Sequence, residues 1–139
     1  MTYPDKALSI RQPWAEMILS GKKTIEIRPW VTGHRGEVWL HVSQKKDVEL
    51  EQSFGYHSLP TGVYTGLFSI MAVVPLTPQR WEEWRSRHLD PGPYVYGNYA
   101  WFVGDAVRFG NPVPGGGQLR LFEPDFQMLE RLKAALRPG

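Results

Sequence analysis

The chain has 139 residues, a formal net charge of +2 and no cysteine. A chain of this length is expected to form one domain over 1–139, with a core over about 6–122 and a C-terminal helix over about 124–137. The lack of Cys excludes disulfides and thiolate metal sites, and no apolar run approaches the ~20 residues of a membrane span. The sequence therefore predicts a soluble, cytoplasmic protein with no membrane partner.

In the first half of the chain, short strands surround one brief helix. The predicted elements are strands over 7–10, 24–28 and 37–43 and helices over 13–20 and 46–54. Pro13 suits a first helical turn, where its missing N–H is not needed, and Gly21 suits the helix end. In the second strand the side chains alternate, so Ile25 and Ile27 share one face while Glu26 and Arg28 share the other.

The second half predicts further strands and two amphipathic helices. The predicted elements are strands over 64–74, 102–103, 106–109 and 118–122 and helices over 77–89 and 124–136. The run 64–74 is apolar on both faces, as in a central strand, and 94–101 and 112–117 are predicted loops. Leu119 and Leu121 are expected to point inward. Phe126, Leu129, Leu132 and Leu136 are the predicted apolar stripe of the last helix.

These strands mostly do not alternate with helices of crossover length. The order therefore favours an α+β fold over a doubly wound sheet. We predict a mostly antiparallel, partly closed β-barrel decorated by short helices, with an amphipathic helix at the C-terminus.

Basic residues are concentrated near the N-terminus. Residues 1–35 carry a net charge of +3, residues 36–60 carry −2 and the remainder +1. A local basic excess is typical of surfaces that bind polyanions, although many solvated surfaces share it. The six Trp fit either a packed core or stacking on nucleobases.

The densest chemistry lies on the second strand. Glu26 and Arg28 are two residues apart on one strand face, about 7 Å along the backbone. They could form a structural ion pair on an exposed face, which would stabilise the fold little. Alternatively, Arg28 and Lys23 face an anionic or carbonyl-bearing ligand while Glu26 accepts a hydrogen bond from an amino group.

The histidines do not indicate a metal or a nucleophile. None of the four His has metal-ligand spacing, and Pro114 to Gly117 lacks the Lys-Ser/Thr of a phosphate loop, so no metal or cofactor is predicted. His41 and Ser43 share a strand face, but an i, i+2 pair has the wrong geometry for direct activation. His41 is instead predicted to line a ligand site. Tyr99 and Trp101 are either core aromatics or, as we favour, a stacking wall for a splayed base.

Two motifs resemble a known family. The segment 21–28, GKKTIEIR, fits the G-x-K-x-x-E-x-R signature of ASCH domains. The segment 8–15, LSIRQPWA, is similar to the L-S-x-x-Q-P-W-A segment of the coactivator-type branch of that family. Trp30, Gly36, 41–46 and 99–101 continue the similarity, which extends to about Phe122.

The resemblance implies a fold and a site. The fold would be the PUA-like barrel, related to readers of RNA modifications, with a cleft between the barrel and the first helix. The ligand in that cleft would be RNA or another nucleic acid, with a flipped or modified base as the recognised group. The predicted ligand-binding residues are Arg11, Gln12, Trp14, Lys23, Glu26, Arg28, Trp30, His41, Ser43, Tyr99 and Trp101.

Two other functions stay open. Some small bacterial members of the family hydrolyse the acetyl amide of N4-acetylcytidine with a Lys and a Thr nucleophile, and another is a ribonuclease. Lys23 matches that Lys, but Glu26 stands at the position of the Thr. If the protein is a hydrolase, Glu26 would be the general base and Lys23 would stabilise the developing negative charge. A protein-interaction module is the third hypothesis.

Overall fold

The structure, a computed structural model, describes residues 2–137. Its strands are β1 Ala7–Gln12, β2 Ile25–Arg28, β3 Gly36–Lys46, β4 Val63–Pro75, β5 Tyr99–Pro114 and β6 Leu121–Phe122. Its helices are α1 Trp14–Leu19, α2 Val48–Ser53, α3 Pro78–Glu83, α4 Arg85–His88 and α5 Phe126–Leu136.

The strands form one sheet in the order β2-β5-β4-β3-β1-β6. Strands β1 and β3 pair in parallel, and every other neighbouring pair is antiparallel. The predicted α+β, mostly antiparallel fold with a C-terminal helix is therefore confirmed. Because β2 and β6 are the two edges, the sheet of the described residues is not closed into a barrel.

Both faces of the sheet are covered, as the alternation along β3 shows. Val38, Leu40 and Val42 belong to a core that includes Ile18 of α1. Trp39 points the other way, into a second core that includes Leu132 of α5. Burying apolar side chains on both faces holds the sheet between the two helices.

A third, smaller core fixes the edge strand β2. Ile25 is completely buried against Leu76, Trp81 and Ala100. Thr77 caps α3 by accepting a hydrogen bond from the backbone N–H of Arg80 at 3.1 Å. This packing holds the side of β2 opposite the polar side chains, so the polar residues are presented from a rigid strand.

The segment 99–114 differs from its prediction. A loop over 94–101 followed by two strands with a turn at Gly104 and Asp105 was expected, but β5 runs unbroken through both residues. Asp105 has φ 51°, and the β4–β5 register shifts at this point. The turn residues are thus accommodated as a bulge within the strand.

Four smaller predictions were also wrong. The helix predicted over 77–89 is divided at Trp84 into α3 and α4. The last strand is only Leu121–Phe122, and Leu119, predicted to point inward, is 92% exposed. Phe126 is 75% exposed because it stands at the first turn of α5, beyond the edge of the second core.

Candidate functional site

A cleft of about 660 Å³ opens where α1, β2 and the end of β3 meet. Its lining residues come from these elements, from β1, and from the segments that flank β2, follow α4 and precede β5 and β6. They are Ser9, Arg11, Trp14, Lys23, Glu26, Ile27, Arg28, Pro29, Ser43, Gln44, Lys45, Asp90, Asn98, Gln118, Leu119 and Arg120. A volume in this range is typical of small-molecule and nucleotide sites.

The end of α1 positions the first polar residue of the cleft. Gly21 takes φ 84°, a left-handed conformation that glycine adopts without steric cost. The backbone N–H of Lys23 then bonds back to the carbonyl of Met17 at 2.9 Å. This turn directs the Lys23 side chain under the ring of Trp14, with Nζ 4.3 Å from the ring centroid.

Three charged side chains form a row on the floor of the cleft. Glu26 lies between Lys23 and Arg28, with Lys23 Nζ 3.8 Å from Glu26 Oε1 and Arg28 Nη2 3.1 Å from Glu26 Oε2. Arg28 Nε also donates to Glu26 Oε2, and Arg28 Nη2 donates to the backbone carbonyl of Ser9 at 2.8 Å. The row therefore links β2 to β1 across the opening between the sheet edges.

Lys23 is almost completely buried, at 2% exposure. Its ammonium group donates a short hydrogen bond to the backbone carbonyl of His88. Burial lowers the pKa of Lys23 from 10.5 to about 8, although the nearby carboxylates of Glu26 and Asp90 act in the opposite direction. Lys23 is therefore mostly cationic at pH 7 and loses its charge in mildly alkaline solution.

The cleft as a whole is cationic. Five of its lining residues are basic and two are acidic, a net charge of +3. The basic residues are Arg11, Lys23, Arg28, Lys45 and Arg120, and the acidic ones are Glu26 and Asp90. This is a larger excess than the whole chain carries, so the cleft concentrates positive potential.

The structure brings six of the predicted residues together in the cleft. They are Arg11, Trp14, Lys23, Glu26, Arg28 and Ser43. Thr24, two residues before Glu26, lies outside the cleft, and its hydroxyl accepts a hydrogen bond from Arg87 Nε at 3.0 Å.

The predicted aromatic wall is not part of the cleft. Trp101 is completely buried in the first core, and its indole Nε1 donates to the backbone carbonyl of Trp30 at 3.1 Å. The two indoles meet edge to face, 4.6 Å apart. Tyr99 is half-buried against the same core. The segment is part of strand β5, in which Trp101 stands opposite Glu26 of β2, and its indole packs into the first core together with Ile18 of α1.

Gln12 and His41 lie outside the cleft for different reasons. Gln12 is buried, donates to the carbonyl of Pro60 at 3.1 Å and accepts from the backbone N–H of Glu16 at 3.0 Å. It therefore has a structural role in holding α1. His41 lines a second, adjoining cavity of about 310 Å³ rather than the cleft itself.

Sequence reasoning missed several strand and loop residues that complete the cleft. Ser9, Gln44, Lys45, Asp90, Asn98 and residues 118–120 also line it. Arg120 lies over the ring of Trp30, with the guanidinium carbon 5.0 Å from the ring centroid. The segment 118–120 was predicted as a strand, which concealed its role. Ser9, Gln44 and Lys45 carried a signal, because they lie in segments similar to the family.

The described residues contain neither a metal-binding cluster nor a membrane-spanning helix. Within residues 2–137, no group of three or more His, Asp or Glu side chains is arranged to hold a metal ion. None of the helices in the described part of the chain has the length and apolar character needed to cross a membrane.

Fold and motifs together define an ASCH domain. The model of the ASCH domain family matches residues 8–112, which is most of the chain, so the protein belongs to this family. Among curated proteins, human Activating signal cointegrator 1 is 44% identical over 46 residues, and the mouse protein is 41% identical over 46 residues. The match covers 33% of this chain but only 8% of the length of each relative.

Solved structures support the same fold. The crystal structure of ASCH from Zymomonas mobilis superposes with a TM-score of 0.67 at 15% identity, covering 93% of both chains. A mutant of that protein superposes with a TM-score of 0.65 at 16% identity, covering 95% of this chain and 98% of that one. At this level of identity the likeness establishes the fold alone.

Proposed function

We propose that this protein binds RNA in the cationic cleft, with one unpaired nucleotide entering it. The observation that carries the proposal is the net charge of +3 on the lining of a single cleft of about 660 Å³. Phosphate contacts supply most of the sequence-independent affinity for nucleic acids. Membership of the ASCH family, which is associated with RNA binding, supports the same assignment.

The rim of the cleft would hold the phosphate backbone. Arg11, Lys45 and Arg120 are exposed there, and each carries a charge that a solvated side chain can bring to a phosphate. Arg120 already lies over the ring of Trp30. Its guanidinium group therefore loses less conformational freedom when it binds a phosphate. These contacts give affinity and position but carry no sequence information.

The floor of the cleft would read the base. Glu26 accepts hydrogen bonds only, so its carboxylate suits an exocyclic amino group. Arg28 uses Nε and Nη2 for Glu26 and Ser9, and its Nη1 is the nitrogen proposed to donate to a base carbonyl. The half-buried ring of Trp14 gives the cleft an apolar surface beside these groups. Single-stranded RNA exposes base edges in a form that such a site can bind.

Fluorescence anisotropy with a labelled single-stranded RNA, titrated against salt, tests the proposal. Affinity is expected to fall with salt, and each lost phosphate contact should reduce the slope of log K against log salt by about 0.7. Arg11→Ala and Arg120→Ala should each show this reduction. Arg131→Ala is the matched control, because Arg131 is an exposed cation that lines a different cavity, and its slope should equal that of the wild type.

Two results would overturn the assignment. One is the absence of RNA binding at low salt. The other is a loss of affinity in Arg131→Ala equal to that in Arg11→Ala, which would mean a diffuse surface effect rather than a site. A DNA of the same sequence should bind more weakly, and equal affinity for DNA would refute RNA as the preferred ligand.

A further inference from the structure

The second cavity adjoins the cleft but has a different chemistry. Its volume is about 310 Å³, and it shares five lining residues with the cleft, among them Ser9, Ser43 and Leu119. None of its described lining residues is Lys or Arg, and three are the consecutive glycines 115–117. A smaller uncharged cavity thus opens beside a larger cationic one.

Ser9 and His41 meet in this cavity because β1 and β3 pair in parallel. The two residues are register partners on neighbouring strands, so their side chains emerge side by side on one face of the sheet. Ser9 Oγ lies 2.8 Å from His41 Nδ1. The distance is that of a hydrogen bond between a hydroxyl and a ring nitrogen.

The hydrogen bonds define the tautomer of His41. Its Nε2 is 2.9 Å from the carbonyl oxygen of Gly115, and a carbonyl only accepts, so Nε2 carries the proton. In the neutral ring Nδ1 is then an acceptor, and Ser9 Oγ donates to it. Burial lowers the pKa of His41, against the opposing effect of the Gly115 carbonyl, which favours the neutral ring at pH 7.

The arrangement has the parts of a nucleophile, its base and a group that orients the base. The ring of His41 is also held by Tyr64, whose ring lies edge-on at 4.7 Å. We propose that Ser9 and His41 form a nucleophilic dyad that hydrolyses a small acyl ester whose alcohol part is anionic. The acyl group would occupy the second cavity and the alcohol part the cationic cleft, and only this second placement rests on the proposed anion-binding function.

The reaction takes place in two balanced steps. Ser9 Oγ bonds to the ester carbonyl carbon as its proton passes to His41 Nδ1, and the bond from that carbon to the alcohol oxygen breaks as Nδ1 returns the proton to the leaving oxygen. Water then attacks the acyl-Ser9 carbon and gives a proton to Nδ1. The bond to Ser9 Oγ breaks and Oγ takes that proton back. The products are a carboxylic acid and the anionic alcohol.

Charge distinguishes an acyl group from a phosphoryl group in the second cavity. A phosphoryl group carries negative charge that cations must balance during transfer, and the described lining of this cavity has none. Cations lie on the other side of Ser9, where Arg28 Nη2 donates to its backbone carbonyl at 2.8 Å. The nucleophile therefore stands at the boundary between an uncharged and a cationic compartment.

Covalent labelling of the full chain with an uncharged fluorophosphonate tests the dyad. Ser9 Oγ would displace fluoride from phosphorus, and intact-mass and peptide analysis should find one adduct, on Ser9. Ser9→Ala should give no adduct, and His41→Gln should label at least about a hundredfold more slowly. Absence of an adduct on the wild type, or an unchanged adduct on Ser9→Ala, would overturn the proposal.

Two glycines supply a matched pair of variants. A Cβ added at Gly117 would overlap both Ser9 Oγ and His41 Nδ1, whereas one added at Gly33, which lies outside both cavities, meets nothing within 4 Å. Gly117→Ala should therefore suppress labelling while Gly33→Ala labels like the wild type. Equal labelling rates in the two variants would refute the assigned geometry.

A thiol variant keeps the test decisive if Ser9→Ala fails to fold. The chain contains no Cys, so Ser9→Cys has a single thiol. Iodoacetamide should label it with a pH midpoint below the ordinary thiol value of about 8.5, and His41→Gln in that background should remove the shift. A pH midpoint of labelling that is the same with and without His41 would overturn the dyad.

Substrate preference completes the test. The acetyl ester of a nitrohydroxybenzoate should be hydrolysed faster than uncharged p-nitrophenyl acetate, and the reverse order would overturn the anionic substrate class. Labelling by the uncharged probe does not require the cleft. Failure of labelling with intact RNA binding would therefore refute the dyad alone, and loss of RNA binding with intact labelling would refute only the proposed function.

Discussion

Lys23 makes the stability of the protein depend on pH in a defined direction. Burial lowers the pKa of Lys23 from 10.5 to about 8, so the folded protein releases this proton more readily than the unfolded chain does. Between these two values the unfolded state binds more protons, and the free energy of unfolding rises with pH. The stabilisation is fully present above 10.5 and is lost as the pH falls through about 8.

Linkage gives the magnitude. With these two pKa values, the free energy of unfolding should rise by about 2 kcal/mol between pH 7 and pH 9.5. The pH range of this prediction ends below pH 10 because Tyr64 acts in the opposite direction at higher pH. Burial raises the pKa of Tyr64 to about 12, so above the ordinary tyrosine value the folded state retains a proton that the unfolded state loses, and stability declines.

Urea unfolding followed by tryptophan fluorescence in steps of pH measures the effect. The wild type should show the rise, and Lys23→Met should lack it whatever its absolute stability. Lys22→Met is the matched control, because Lys22 is the exposed neighbour, and its curve should keep the wild-type slope. The reasoning is refuted if Lys23→Met and the wild type rise in parallel.

Three further predictions concern the frame around the cleft. Trp101→Ala should destabilise the fold by about 3–5 kcal/mol in urea unfolding, since the side chain is completely buried. An unchanged stability with lost RNA binding would contradict its assignment to the core. Gly66→Ala should cost about 1–3 kcal/mol or more because the new Cβ overlaps the backbone carbonyl of Val107, whereas Gly110→Ala, with nothing within 4 Å, should stay within about 0.5 kcal/mol. Burial lowers the pKa of His88, so stability should fall as the pH drops below about 6.5 and His88→Gln should flatten that decline in unfolding curves.

Local periodicity was sufficient to predict much of the frame. The alternation of Ile25, Glu26, Ile27 and Arg28 identified a strand, and the burial of Ile25 confirms its anchoring face. Glu26 is nonetheless only 5% exposed, although its position in the alternation indicated a solvated side. The reason is tertiary, because Trp14 of α1 and Lys23 in the turn after that helix cover this side.

The second-cavity pair shows what local patterns cannot contain. Ser43 lies two residues from His41 on the same strand. The sequence spacing therefore indicated a His41–Ser43 pair, but residues at i and i+2 of a strand have the wrong geometry for direct activation. The hydroxyl that meets His41 belongs to Ser9, which is 32 residues away. Only the parallel register of β1 and β3 joins them, and register between distant strands is set by the whole sheet.

The prediction that Tyr99 and Trp101 form a stacking wall was wrong for a related reason. Composition indicated many aromatic rings but not which of them face solvent. Trp101 and Tyr99 were placed in a loop because the neighbouring Gly and Asn are typical of turns. Pairing with β2 makes this segment a strand, and burial of the large indole then outweighs any local turn preference.

The buried charge of Lys23, which lowers the stability of the free protein at pH 7, should favour RNA binding. A buried lysine kept protonated at pH 7 opposes folding, and a phosphate or base carbonyl brought near it would raise its pKa again. Binding would then take up a proton above pH 8, so affinity should fall as the pH rises while stability increases.

If RNA restores the pKa of Lys23 to 10.5, the dissociation constant should increase by about tenfold between pH 7 and pH 9. An RNA of A and C only, measured by anisotropy, keeps base titration out of this range. Lys23→Met should bind RNA more weakly at pH 7, and its affinity should not change with pH in this way. A pH-independent affinity in the wild type would show that Lys23 does not interact with the bound RNA.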